Sequence, residues 1–599
     1  QKSLCAYYVA EGELTVGELR AALAEELPSY MIPSYFVQLE RMPLAPNGKL
    51  DRKLLPAPEG LINIGTVHIA PRTPLEVRLV QIWQEVLGVE RIGVKEDFFE
   101  LGGHSLRATT LVSKIHKALH VHFPLRDVFR FSTLEAMASA IEGLEQQQFH
   151  AIPTADVKPY YPLSSAQKRI YILHQMQGAQ QSYNMPGAIT IRGHLDRNRL
   201  EAAFRELIAR HETLRSGFEM VEGEAVQRIH PHVEFAIEYI QAEGEEVEQI
   251  ASQFVRDFEL EQPPLLRVGL IEIALEHHLL LFDMHHIVSD GVSMAILVDE
   301  FTRLYSGEQL PPLHIQYKDY VQWMHMESQH ERLKDQEAYW LQKLDGQLPL
   351  LELPTDYARP DQRSYEGDKL QFVIDLEQSE QLQRLAGNAG ATLYMVMLAA
   401  YTTLLHKYSG QDDMIVGTPI AGRTHSDTEP LIGMFVNSLA IRNYPHADKS
   451  FSSYLEEIKA TTLQAYENQD YPFEALVEKL KVARNPSRNP LFDTMFILQN
   501  TENNSVSLGD LSVEPYNQNH SVAKFDLTLE ITMEDGLMSG HFEYCTKLFS
   551  ANMMDNFAED LLNILSQICE QPDIRLGEIQ LSGVTEHEEV LEAEIDFAF

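Results

Sequence analysis

The rhythm of apolar and polar positions changes most sharply near residue 285. Leu279 and Leu281 alternate with Leu280 and Phe282 up to a Met284-His285-His286 end, which predicts an apolar strand. From 292 to 305 the rhythm is helical, with Met294, Leu297, Val298, Phe301 and Leu304 on one stripe until Gly307 stops it. His285, His286, Asp290 and Gly291 therefore fall on a strand-to-helix turn. Such a turn can aim His286 into a cleft while Asp290 folds back to hold the loop and Gly291 permits a tight backbone path. Taken alone, the same residues also fit a histidine pair buried in a core strand.

Upstream, Thr73-Pro74-Leu75-Glu76 has the form of a capping box with proline at the first helical position, and Ile82, Trp83, Val86 and Leu87 carry an apolar stripe to Gly88. Leu111, Ile115 and Leu119 repeat the pattern after Ser105, so a small helical domain is expected over 73–145. Ser105 is expected at a helix N-terminus behind Gly102 and Gly103, exposed and flanked by little bulk; an ordinary N-cap serine would look the same. Residues 146–160, polar and marked by Pro153 and Pro159, suit a linker that lets this domain move. Residues 161–585 alternate strand-like and helix-like segments as one large α/β unit. Flanking these are 1–60, which ends in an Asn47-Gly48-Lys49 turn, a short linker at 61–72, and 586–599. Leu393 to Leu405 is the most apolar helical run, but it is shorter than a bilayer span and dotted with Tyr and Thr, which makes it a buried core helix.

At 599 residues the chain suggests roughly three or four domains, and 44% apolar content supports real cores. Its 48 Lys+Arg against 88 Asp+Glu give a formal charge of −40, which opposes attraction to nucleic acid or anionic membrane. Cys5, Cys545 and Cys569 lie far apart without metal spacing, so no disulfide scaffold or metal site is indicated and a reducing cytoplasm fits. The chain starts mid-pattern and without Met, as an excised fragment of something longer would.

Two strings then sharpen the picture. His285-His286-Ile287-Val288-Ser289-Asp290-Gly291 resembles the signature of condensation domains in nonribosomal peptide synthetases and of the related chloramphenicol acetyltransferase-like acyltransferases. Asp97-Phe98-Phe99-Glu100-Leu101-Gly102-Gly103-His104-Ser105-Leu106 resembles the phosphopantetheine attachment site of peptidyl carrier domains. Further segments match the condensation family in order: Ser164 to Leu173, Arg210 to Phe218, Tyr317 to Tyr320, Ile432 to Ser438 with Arg442, Asn468 to Glu474, and Arg484 to Leu491, where Asn485 stands at a frequent Asp position. Leu27 to Pro33 and Pro46 to Pro56 are similar to the end of an adenylation domain, with Lys49 at the position that reaches the acyl-adenylate. The whole chain thus resembles a fragment of a bacterial synthetase of the tyrocidine or gramicidin type.

That resemblance implies a multidomain fold: a small α+β remnant, a four-helix-bundle carrier and a large α/β condensation domain of two chloramphenicol acetyltransferase-like lobes meeting at a cleft. It implies 4′-phosphopantetheine attached covalently to Ser105, and amide formation between an acyl group held there and the amine of an aminoacyl thioester on a downstream carrier. His286 is expected to position the amine and, secondarily, to accept its proton. Asp290 is expected to pair with Arg210 or Arg215, and Gly291 to offer its N–H to the developing oxyanion. His285 completes the catalytic set. Arg210, Glu212 and Arg215 more naturally form a buried ion-pair network, and Tyr317, Asp319 and Trp323 core packing. Implied partners are an upstream adenylation domain, a downstream carrier and a phosphopantetheinyl transferase. An epimerisation domain shares the histidine motif, although its carrier usually reads Gly-Gly-Asp-Ser; a noncatalytic recruiting module usually loses that motif.

Overall fold

The computed structural model describes residues 69–582 apart from 177–179, 484, 500–507, 510, 517–521 and 535, together with 5–10, 19, 23, 33 and 35–39. Lys49 and the segments around it, most of the 61–72 linker, Arg484 and 586–599 lie outside the described residues. The chain divides into two compact units, Gln1–Phe149 and His150–Phe599. In the first, Cys5–Tyr8 pairs in parallel with Tyr35–Gln38, ahead of a bundle of four helices: Pro74–Leu87, Ser105–Leu119, Leu125–Arg130 and Leu134–Glu142. The capping box is formed: Thr73 Oγ1 accepts from the Glu76 N–H at 3.1 Å and a Glu76 carboxylate oxygen accepts from the Thr73 N–H at 3.2 Å. Gly88 ends that helix in the left-handed conformation. Leu79, Trp83, Phe98, Leu111, Ile115 and Met137 fill the bundle core.

The second unit has two lobes. The first lobe's five-stranded sheet runs in the order Ser512–Pro515, Asn184–Arg192, His277–His285, Leu266–Ala274, Glu238–Gln241. The second lobe's six-stranded sheet runs Gly367–Ile374, Leu537–Cys545, Leu527–Glu534, Thr494–Gln499, Met414–Ile420, Asn437–Asn443. Its core face, with Phe542 and Phe496, packs against Tyr401 of helix Leu393–Ser409 and Phe557 of helix Ala551–Glu570. That explains why Leu393–Ser409 is apolar all round: Tyr394 through Leu405 are buried inside this lobe. Among the described residues no single helix is long and apolar enough to cross a membrane. Ser512–Pro515 leaves the second lobe to pair antiparallel with Arg192–Ile189 of the first, so the second lobe lends a strand to the first lobe's sheet.

Residues 146–160, expected to link the two units, hydrogen-bond within each of them. Gln146 bridges to Val121 and the Gln147 N–H donates to the His120 carbonyl in the first unit. In the second, the N–H groups of Ile152 and Ala155 donate to Asp427 (3.2 Å) and Asp319 (2.8 Å), and Lys158 Nζ donates to Gln322 (2.8 Å). Polar composition forbids the segment a core of its own, but its backbone donors find carboxylates on the unit it runs along.

Candidate active site and carrier serine

The strand and helix flanking the histidine motif form as their patterns require. His277–His285 is a nine-residue central strand buried on both faces, a short 3₁₀ turn covers His286–Val288, and Gly291–Ser306 is the helix, ended by Gly307 at φ 88°. The helix of the first motif, Ser165–His174, braces the turn: Gln167 Nε2 donates to the Ile287 carbonyl at 3.1 Å.

The two histidines differ in role. The His286 N–H donates to the Tyr183 carbonyl (2.8 Å), which fixes its backbone, and the ring is half-buried. Its Nδ1 lies 2.7 Å from the Ser289 carbonyl, which can only accept, so Nδ1 carries the proton and Nε2 presents a lone pair. Burial, and after it the Lys524 charge, push His286 down to about 4 against the opposing pull of Asp290. The ring is therefore neutral at pH 7. His285 is 0% exposed, edge-on to His174 at 5.1 Å and Phe258 at 6.0 Å, and its Nδ1 accepts from the Ile287 N–H. Placed with the catalytic set by sequence, it is a buried brace of the turn that substrate could reach only by opening that packing. Burial holds it well below the usual histidine range.

Asp290 is 0% exposed and caps the helix, its Oδ1 accepting from the Ser293 N–H at 2.7 Å. Its ion-pair partner is neither Arg210 nor Arg215 but Arg423 of the second lobe, with Nη2 at 3.3 Å, and its Oδ2 accepts from the Phe435 N–H at 2.9 Å. Arg210 is taken by Glu300, which also holds His211, while Arg215 donates to the carbonyls of Ile208 and His230. Both arginines are consumed within their own lobe, whereas the strap 422–436 brings Arg423 across to Asp290. Arg423 also donates to Ser293 Oγ and to the Thr428 and Leu431 carbonyls, and sits 4.0 Å over the Phe435 ring. No periodicity in the sequence marks Arg423, which lies in a loop after the Met414–Ile420 strand; only its place beside Gly422 hints at a constrained turn. Gly422 has φ 64°, and an added Cβ would lie 1.9 Å from the Phe435 carbonyl oxygen.

Gly291 departs from expectation. Its φ is not positive, and an added Cβ would meet nothing within 4 Å, so no tight path requires glycine there. It is exposed at the first turn of its helix. The other motif residues are junctions. Glu212 pairs with Lys318, Asp319 accepts from the Gln316 and Ala155 N–H groups, and the Tyr317 hydroxyl bonds to the Met434 carbonyl. Trp323 packs on His425 at 5.2 Å. Asn437 receives the Phe473 N–H and donates to the Gln469 and Tyr471 carbonyls, and Arg442 pairs with Asp413. Asn485 Oδ1 accepts from the Ser487 N–H and hydroxyl, the acceptor work an aspartate would do.

Ser105 opens its helix as expected, but as the first helical residue after His104 and not as the cap itself. It is 9% exposed, and its Oγ is shut in without a hydrogen-bond partner, where exposure was expected. The glycines do not clear space around it: a Cβ on Gly103 would lie 2.3 Å from the Phe98 ring, so glycine lets the loop close down on the bundle core. His104 is pushed down to about 4 by burial and by Arg107. Among the described residues no cluster of three His, Cys, Asp or Glu suits a metal, and Cys545 and Cys569 are free.

Comparison with known proteins decides the family. The profile described as "Condensation domain" matches residues 157–591, most of the chain, and that described as "Phosphopantetheine attachment site" matches 77–141. The chain belongs to the condensation-domain family, with a carrier domain ahead of it. Its relatives are nonribosomal peptide synthetases. It is 48% identical over 592 residues to gramicidin S synthase 2 of Brevibacillus brevis, covering 99% of this chain and 13% of that protein. It is 47% identical over 597 residues to tyrocidine synthase 3 of Brevibacillus parabrevis, covering 100% of this chain and 9% of that protein. The X-domain from teicoplanin biosynthesis shares its fold at 25% identity and TM-score 0.66, covering 72% of this chain and all of that one. The first condensation domain of the calcium-dependent antibiotic synthetase, in complex with a substrate analogue, does so at 20% identity and TM-score 0.59, covering 71% of this chain and all of that one.

Proposed function

We propose that this chain forms a peptide bond: an acyl group held through Ser105 passes to the amine of an aminoacyl thioester on a downstream carrier. The observation that carries this reading is the neutral His286 ring, anchored at Nδ1 and open at Nε2 on a rigid strand-to-helix turn. Covalently bound 4′-phosphopantetheine supplies a thiol that holds the acyl group as a thioester. Ser105 fits that attachment, because its hydroxyl is uncommitted and the helix N-terminus behind it favours a phosphate. A transferase must first turn the hydroxyl outward.

At the reacting centre His286 Nε2 accepts a hydrogen bond from an N–H of the attacking amine and aims its lone pair at the donor carbonyl. The C–N bond forms, the C–S bond breaks, and the amine's proton leaves with the sulfur. A group poised near 4 holds almost no proton at pH 7, so orientation outweighs base catalysis. An α-amine of pKa about 7.7–8.0 is already partly neutral there. The Gly291 N–H, at the helix N-terminus, is the proposed donor to the oxygen that gains charge. His285 and Asp290 act through the turn they hold.

On this reading residues 73–145 are the carrier and 161–585 the condensation domain, 1–60 ends an adenylation domain, and 586–599 leads to a following module. Partners are the upstream adenylation domain, a phosphopantetheinyl transferase and the downstream carrier; the cytoplasm is the compartment. The test is amide formation by the loaded chain with an aminoacyl carrier added. His286→Ala should fold, keep its melting temperature and lose about 10²-fold or more of the rate. A variant as fast as the parent would reject His286 as the positioning group.

A further inference from the structure

We propose that Lys524 is a positioning residue for this acyl transfer: its ammonium, standing over the Tyr183 ring beside His286, supplies a positive charge held in no ion pair, which keeps the acceptor amine neutral and favours the charge developing on the donor oxygen. The inference rests on the acyl-transfer reading and extends it to a residue of the opposite lobe.

The backbone that carries Lys524 is clamped in the second lobe. Val522 bridges to Glu366, the Ala523 N–H donates to the Tyr365 carbonyl at 3.1 Å, and the Lys524 carbonyl accepts from Asn489 Nδ2 at 3.2 Å. Only the side chain reaches the first lobe, where Nζ lies 5.3 Å from the Tyr183 ring centroid. Tyr183 is buried, its ring is 6.4 Å from that of His286, and its carbonyl fixes the His286 N–H. One rigid tyrosine thus separates the ammonium from the proposed reacting centre.

Each carboxylate that faces Lys524 has another group closer to it. From the sheet, Glu543 pairs with Lys369 (3.5 Å), and Glu530, which burial holds above the usual carboxylate range, lies 3.7 Å from His541; both carboxylates attract Lys524 from beyond ion-pair distance. From helix Ser165–His174, Arg169 faces Glu474 at 3.6 Å, and on the His286 turn Asp290 has Arg423. Among the described residues Lys524 Nζ has no carboxylate within ion-pair distance and no hydrogen bond. Burial holds the Lys524 ammonium below the usual lysine range against the longer-range pull of Glu543 and Glu530, and a half-buried cation in no ion pair is costly to keep for packing alone.

Its charge acts on each species in the step. Attack joins nitrogen to carbon, leaving a positive nitrogen and a negative oxygen before the proton passes to sulfur. A fixed positive charge opposes protonation of the incoming amine, as it does that of His286, and attracts the new oxyanion.

The experiment measures single-turnover amide formation from pH 6 to 9, using the full chain loaded at Ser105 and a saturating aminoacyl carrier. For Lys524→Gln the acid limb should move up by about one pH unit, with a rate about tenfold lower at pH 7 and a gap that narrows toward pH 9, leaving there the pH-independent loss of oxyanion stabilisation. Lys524→Arg should keep the parental limb. A glutamine variant that superimposes on the parent, or an arginine variant as displaced as the glutamine one, would overturn the proposal. Lys524→Met carries the same comparison if the glutamine variant fails to fold. Absence of amide from the unaltered chain at every pH would reject the acyl-transfer reading itself, and the role of Lys524 with it.

Discussion

Two side chains, Ser105 and His286, bear the proposed chemistry, and each is set by what surrounds it. Ser105 was legible from Gly-Gly-His-Ser, yet its burial was not, because the motif does not reveal that Phe98 draws the loop inward. A shut-in hydroxyl without a partner costs about 1–3 kcal/mol, and turning outward for modification relieves it. Ser105→Ala should therefore melt at or slightly above the parent carrier while abolishing the mass gained with coenzyme A and a phosphopantetheinyl transferase. A retained mass shift would remove Ser105 as the attachment site, and a strongly lowered melting point would show that its hydroxyl is bonded after all. The turn that carries His286 was legible, because the strand and helix patterns on either side fixed it. The histidine's tautomer was not, since that depends on the Ser289 carbonyl; nor was its depressed titration, which depends on burial and on a lysine 238 residues further along the chain.

Strand, turn and helix owe their shape to local rules, but the turn is locked by the strap 422–436 from the other lobe. The local rules were readable: alternation into His285, an Asp290 cap, a Gly307 stop. The lock was not, because an ion pair between residues 133 apart leaves no periodic trace, and the arginines nearest the motif, Arg210 and Arg215, find partners in their own lobe. A glycine that the motif seemed to need for its backbone, Gly291, adopts a conformation open to any residue, whereas Gly422 in the strap is the one with positive φ pressed on a carbonyl. Removing Asp290 strands the buried Arg423 and frees the Ser293 and Phe435 N–H groups, so Asp290→Ala should cost about 3–5 kcal/mol of stability. His286→Ala, which loses one carbonyl contact, should unfold close to the parent. Equal melting temperatures for the two variants would show that the strap does not depend on Asp290.

Across the whole molecule, the apolar stripes and turns showed a small helical domain followed by a large α/β unit, and the resemblance of the ordered motifs implied the carrier and the two lobes. The strand Ser512–Pro515 lent to the first lobe, and the segment 150–158 bonded along the second unit, were not foreseeable, because both rest on backbone hydrogen bonds with no sequence signature. On the proposed acyl-transfer reading, the group on Ser105 is given away and the acceptor arrives on another carrier. With the donor tethered and the acceptor free, the rate should rise with acceptor concentration. The most direct measurement is mass spectrometry of both carriers after mixing the loaded chain with an aminoacyl carrier. The account expects the elongated product on the added carrier and a free thiol on the arm at Ser105. Elongated product on Ser105 would contradict it.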